Sequence, residues 1–363
     1  MSIEFIGMIA TREHSESRPP EPPVVDVEFT RAFAQAHERA GFDRVLIGYF
    51  SDGPDGFVIA TDVAASTDRL GILLAHRPGF VSPTVAARKL ATLDQFSGGR
   101  LALHVITGGS DADQRRDGDY LDHAARYRRT DEYLDILKRV WTSDGPIDHA
   151  GEFYRFEGAF SAVRTVQEPH VPIFFGGSSD AAIAVAGRHA DVYALWGEPL
   201  AEARDTIERV RAAAAEHGRS PRISVSLRPI LGPTEEAAWA RAYDILDRAR
   251  ASQAAGRTTW TPAPQNVGSQ RLLDAAARGQ VHDERLFTAI AAAVGAHGNT
   301  TALVGTVDQV VESLLAYVDI GVTTLLIRGF DPYDDAIAYR AVIDGVRQAV
   351  ADRERATTTS GPA

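Results

Sequence analysis

The sequence predicts an α/β fold, a (β/α)8 TIM barrel with long insertions on its C-terminal face. Three observations carry this prediction. Short apolar runs alternate with longer helical patterns eight times in 363 residues. Most of the runs are continuously apolar, the pattern of parallel strands covered on both faces. A hydrophobic content of 44% and this length suit one large barrel.

The first strand is expected at Ile3–Ile9, with a helix at Phe29–Ala40 that stops at Gly41. Arg44–Gly48 and a helix at Phe57–Ala65 follow. Leu70–Ala75 leads to a long helix at Val81–Gln95, opened by Ser82-Pro83. Leu101–Thr107 precedes the amphipathic helix Arg128–Trp141. Val171–Phe175 is followed by a helix at Ala181–Ala186, expected to stop at Gly187. Val192–Trp196 and Leu200–His217, then Ile223–Leu231 and Glu235–Ala251, continue the rhythm. Thr324–Arg328 and Tyr333–Ala349 close it. Residues 1–355 read as one domain and 356–363 as a disordered tail.

Three segments exceed ordinary barrel loops: the proline-rich Thr11–Asp26, the charged Gly108–Tyr127 and the insertion Ser252–Thr301. They are expected after strands one, four and seven, on the face where barrel active sites are built.

Composition narrows the function. A net charge of −11 disfavours nucleic acid and anionic membranes as partners. With no cysteine, thiolate nucleophiles, disulfides and iron–sulfur clusters are excluded, so redox chemistry requires a bound cofactor. The N-terminus lacks a signal-peptide pattern and no stretch approaches a membrane span, so cytoplasmic residence is expected. No HExxH or G-x-S-x-G motif occurs.

The turn Gly176-Gly177-Ser178-Ser179-Asp180 joins a strand to a helix. Its glycines admit close approach, and its hydroxyls and helix N-terminus suit a phosphate. The same string also fits an ordinary tight turn with an N-cap. Thr107-Gly108-Gly109-Ser110 ends strand four, and Leu121–Tyr127 brings His123 and Tyr127 nearby. His104 reads as a core or barrel-lining histidine rather than a ligand. Arg77, Arg228 and Arg328 lie in or near strands three, seven and eight, where they form either an anion site or rim salt bridges.

Taken together, these strings resemble the bacterial-luciferase-like flavin monooxygenases, most closely the FMNH2-dependent alkanesulfonate monooxygenases. The resemblance spans nearly the whole chain. It rests on Arg77–Leu101, VITGGSD at Val105–Asp111, LDHAARY at Leu121–Tyr127, PIFFGGSSDAA at Pro172–Ala182, DVYALWGEP at Asp191–Pro199, VGSQRLLDAAARGQ at Val267–Gln280 and NTTALVGT at Asn299–Thr306. It implies reduced FMN as cofactor, supplied by a separate NAD(P)H-dependent flavin reductase. It also implies O2 as co-substrate, used through a flavin C4a-peroxide to turn an anionic organosulfur compound into an aldehyde and sulfite. A homo-oligomer is implied as well.

By the same resemblance, the FMN phosphate lies against Ser178, Ser179 and Tyr127, with Gly177 and His123 beside it and Thr107 near the ring or ribityl chain. The insertion 252–301 serves as a water-excluding lid.

The chain departs from that family at the substrate end. Gly53 stands opposite a cysteine, Ser226 opposite an arginine, Arg228 opposite a histidine and Phe330 opposite a tyrosine. A loop histidine aligns with Arg12, close to His14. Positive charge is relocated to Arg228, Arg328 and His297, the candidate catalytic residues. An F420- or FMN-dependent oxidoreductase with another substrate, or a non-catalytic flavin-binding barrel, stays open as an alternative.

Overall fold

The computed structural model describes residues 2–256 and 264–359. The fold is α/β, of the eight-stranded (β/α)8 class. All eight expected strands are present: Glu4–Ile9, Arg44–Ile47, Gly71–His76, Leu101–Val105, Ile173–Gly176, Val192–Trp196, Arg222–Leu231 and Thr324–Ile327. The chain, read as one domain from sequence, divides into two compact units.

One unit comprises residues 1–45, 195–207 and 222–363. Within it Glu4–Ile6 pairs in parallel with Thr324–Leu326, and Thr324–Ile327 with Ser224–Leu227. Arg222–Leu231 is twice as long as its neighbours need. Beyond Leu227 it changes partner and pairs with a further strand, Ala302–Gly305, in the register Ala302 to Arg228 through Gly305 to Leu231. Arg228 is therefore the first residue of the extended, C-terminal half.

That extra strand was not read from sequence; it follows directly on the insertion expected at 252–301. The insertion itself follows the helix Glu235–Ala254, not a strand. It contains the helix Val267–Arg278, two short antiparallel strands and the helix Ala289–Ala293. Residues 257–263 of the expected lid lie outside the described residues.

The other unit comprises residues 46–194 and 208–221. Here Ile72–His76 pairs in parallel with Leu101–Val105, Leu103–Val105 with Ile173–Phe175, and Phe174–Gly176 with Val192–Ala194. The hairpin Ile147–Ala150/Arg155–Ala159 was not read from sequence. Its residues are half-exposed and polar, so no apolar run marks it.

Helix ends differ where a residue's role was mistaken. Gly187 does not stop its helix, which runs Asp180–His189. A Cβ at Gly187 would lie 2.8 Å from the Ala213 carbonyl oxygen, so this glycine serves close helix packing. The helix expected from Arg128 starts at His123 because Asp122 accepts from the Ala125 N–H at 2.7 Å and caps it. The last helical region breaks at Tyr339 into Pro332–Ala338 and Arg340–Thr359. Helix thus continues past Ala356, where the tail was expected, and residues 360–363 lie outside the described residues.

Candidate functional site

The sequence-predicted cofactor residues gather in the second unit, at the C-terminal ends of Leu101–Val105 and Ile173–Gly176. The helix His123–Thr142 carries His123, Tyr127 and Thr130 on one face, at spacings of four and three. The His123 and Tyr127 rings meet edge to face at 4.9 Å. Tyr127 is buried and hydrogen-bonds Ser179; burial raises its phenol pKa although Ser179 and Arg126 oppose the rise.

Ser179 also caps the helix Asp180–His189, accepting from Ala182 N–H at 3.2 Å. Gly177 has φ +131°, a conformation that favours glycine. A Cβ there would stand 3.1 Å from the Tyr127 hydroxyl and 2.8 Å from the Ala182 Cβ. The Tyr193 hydroxyl donates to the Gly177 carbonyl and fixes the turn from below. Ser178 is half-buried in this turn.

Thr107 reaches the same helix. Its hydroxyl lies 3.3 Å from that of Thr130, whose proton goes to Arg126 O at 2.8 Å, so Thr107 is the donor between them. His104 packs beside Gly176, and burial lowers its pKa to about 4, so it is neutral at pH 7. Its Nδ1 is buried and without a partner among the described residues.

One residue that sequence reasoning missed is Gln114. It is 1% exposed, and neither atom of its amide has a partner among the described residues. A Cβ on Gly108 (φ +105°) would lie 2.0 Å from its Nε2, so Gly108 is what lets this amide reach the end of the strand. Nothing in the sequence distinguishes it from a surface glutamine.

Arg77 follows the rim-salt-bridge reading. It pairs with Asp113, which also takes the Ser51 hydroxyl, and lies over the Tyr49 ring at 4.6 Å. Gly53 sits in the neighbouring turn and donates to Phe50 O.

In the first unit, Arg228 and Arg328 do converge, and on a residue the sequence did not single out. Arg228 is 1% exposed; its Nη1 donates to Glu16 and its Nη2 to Gly329 O at 2.7 Å. Arg328 Nη2 lies 3.4 Å from the other Glu16 oxygen and 3.0 Å from Asn299 O. Burial alone would raise the Glu16 pKa, but Arg228 and Arg328 outweigh it and hold the carboxyl at about 2. Arg12, which the sequence reading set against a loop histidine, donates to Glu21 O at 3.2 Å, and the nearby His14 ring lies 3.2 Å from Arg12 O.

Two of the departures turn out to touch each other. The Arg228 guanidinium lies 3.5 Å from the Phe330 ring centroid, a cation–π stack. Phe330 is fully buried, which a tyrosine hydroxyl would tolerate only with a partner. Ser226 is half-buried on the same strand. His297 is half-buried, two residues before the Asn299 carbonyl that holds Arg328.

The insertion is firmly seated within this unit. Arg271 makes a forked ion pair with Glu198 at 2.7 and 2.6 Å. Asn299 Oδ1 accepts from Gly197 N–H at 3.2 Å, and the Thr301 hydroxyl donates to Gly197 O at 2.6 Å. Among the described residues there is no metal-holding cluster, and no helix is long and apolar enough to cross a membrane.

A family model described as luciferase-like monooxygenase matches residues 3–324. Among solved structures, a riboflavin lyase with modified FMN and riboflavin is similar at 20% identity, with 98% of this chain and 92% of that chain covered and a TM-score of 0.78. EDTA monooxygenase from Chelativorans sp. BNC1 is similar at 18% identity, covering 98% and 95%, with a TM-score of 0.75. An F420-dependent secondary alcohol dehydrogenase with an F420-acetone adduct is similar at 16% identity, covering 96% and 100%, with a TM-score of 0.69.

Proposed function

The chain belongs to the luciferase-like monooxygenase family, and on that premise we propose that it is the oxygenase of a two-component system that uses FMNH2 and O2. The FMNH2 comes from a separate NAD(P)H-dependent flavin reductase. The observation that carries this reading is the cradle of Gly177, Ser179 and Tyr127: a positive-φ glycine, a helix N-terminus and a buried phenol meet at one turn. These groups fit the phosphate of FMN, whose charge the helix N-terminus favours.

Ser178, Ser179 and Tyr127 would hold that phosphate, with His123 against Tyr127. Thr107 and the unspent amide of Gln114 would serve the polar edge of the ring or the ribityl chain, since Gln114 offers both a donor and an acceptor. His104, kept neutral by burial, adds no charge beside the turn. When bound, reduced FMN supplies the two electrons that activate O2. The insertion is seated by Arg271 on Glu198.

The substrate we infer, from the sequence resemblance, is an organosulfur anion of the alkanesulfonate type. In its oxidation one oxygen atom of O2 becomes the aldehyde oxygen as the carbon–sulfur bond breaks. The other becomes water, and sulfur leaves as sulfite. Arg228, Arg328 and His297 are the residues on the substrate side. Neither arginine serves as a general base at neutral pH, so their role is charge and orientation.

The test is a titration followed by turnover. Anaerobic fluorescence titration with FMN, FMNH2 and F420 should give binding in the order FMNH2, then FMN, then F420. With a flavin reductase and a panel of alkyl and aryl sulfonates, O2 uptake should be accompanied by sulfite. Preference for F420 would overturn the cofactor assignment, and O2 uptake without sulfite across the panel would remove the desulfonation step.

A further inference from the structure

The loop Thr11–Asp26 is built to present one residue. Its ends are tied together: Asp26 N–H donates to Thr11 O at 2.8 Å, and the Thr11 hydroxyl to Val24 O at 2.7 Å. Inside it, Ser15 and Arg18 exchange backbone hydrogen bonds of 2.8 and 3.2 Å. That leaves Glu16 and Ser17 as the two residues at the tip of a tight turn. Residues 18–25 are mostly exposed, yet Glu16 is 4% and Ser17 5% exposed. An otherwise solvated loop pushes a carboxylate into the protein.

What it meets there is two guanidinium groups, more donors than one carboxylate can satisfy. One Glu16 oxygen takes Arg228 and the other faces Arg328. Two guanidinium groups against one carboxylate leave a net charge of +1. Arg228 Nε, Asn299 Nδ2 and Thr300 Oγ1 are all buried and without partners among the described residues. The Asn299 amide is oriented by Gly197 N–H on its Oδ1, so its Nδ2 is turned the other way and remains unspent. Its backbone carbonyl accepts from Arg328 Nη2 at 3.0 Å, which places this residue next to Arg328.

We infer that Glu16 is the internal occupant of a small-oxyanion site formed by Arg228, Arg328 and Asn299, and that it competes there with an anionic ligand, carboxylate or sulfonate. Glu16 is thus a specificity-determining residue: it weakens the site for any ligand that does not offset its removal from the arginine pair. This deepens the substrate side of the function proposed above and is independent of the flavin side.

The experiment needs no flavin. Wild-type protein and Glu16→Gln are titrated with acetate and with methanesulfonate at constant ionic strength, chloride balancing, and the unfolding temperature is followed. Glu16→Gln should show saturable stabilisation at a concentration at least tenfold lower than wild type. Whichever anion acts at lower concentration identifies the class. Equal responses of the two proteins, or no saturable response of the variant, would overturn the inference.

If Glu16→Gln does not fold, Arg328→Gln provides the reverse test. It should abolish the wild-type response to methanesulfonate, and an unchanged response would refute the site. FMN titration of the same proteins reports on the flavin reading separately and should be unaffected by Glu16→Gln.

Discussion

Replacing Glu16 by glutamine should make the protein less stable at pH 7 by about 3 kcal/mol and remove part of its acid sensitivity. The carboxyl is held at about 2 against an ordinary value of 4.5, because two arginines outweigh its burial. A depressed folded-state pKa contributes stability that is complete above 4.5 and is lost as the pH falls from 4.5 toward 2. The gap of roughly 2.5 units, at ~1.36 kcal/mol each, gives about 3 kcal/mol. A similar figure, ~3–5 kcal/mol, is typical for leaving one member of a buried ion pair without its partner.

With an unfolding entropy of ~2.1 cal/mol/K per residue, a chain of this length should lose about 4 °C in unfolding temperature. The assay is thermal unfolding followed by circular dichroism from pH 7 to pH 3. His37, His76 and His104, whose pKa values burial lowers to about 4, destabilise both proteins on the same acid limb and cancel in the difference. The gap between wild type and Glu16→Gln should be full at pH 7 and narrow below pH 4.5. A gap that persists undiminished at pH 3, or none at pH 7, would refute the reasoning.

Two further outcomes are expected. Tyr127→Phe removes the hydroxyl that meets Ser179 beside Gly177; FMN should bind about five- to tenfold more weakly in a fluorescence titration, the loss of roughly one hydrogen bond, and unchanged affinity would remove Tyr127 from the cradle. Arg271→Met leaves Glu198 without its forked partner, so limited proteolysis should cut the insertion several-fold faster while the unfolding midpoint of the remaining protein holds.

The barrel strands were legible because burial on both faces writes itself into consecutive residues, as in Leu101–Val105 and Ile173–Phe175. The turn at Gly177 and Ser179 was legible for a similar reason: a glycine at positive φ and a serine cap are local requirements of the backbone there. Glu16 was not legible, because its burial is decided by Arg228, 212 residues away, and no local pattern in a proline-rich loop signals it. The stack of Arg228 on Phe330 had the same character. Each residue was read from sequence as a separate departure, and their contact was not visible there. Gly187 misled because a glycine near a helix end resembles a stop signal, whereas here its missing side chain admits the neighbouring backbone.

The manner in which the insertion is held bears on how such a chain diversifies. Much of its bonding is within itself: Ser269 to Ala296 O, His282 to Ala275 O, and Leu272 packed with Ala291 and Ala296. At its far end Asn299 grips Gly197 with the side chain and Arg328 with the backbone. Yet Arg271, Arg278, Asp283 and Arg285 reach outside this stretch, to Glu198, Glu202, the Leu200 N–H and Glu235, so a replacement would have to keep those partners occupied as well as the Asn299 joint.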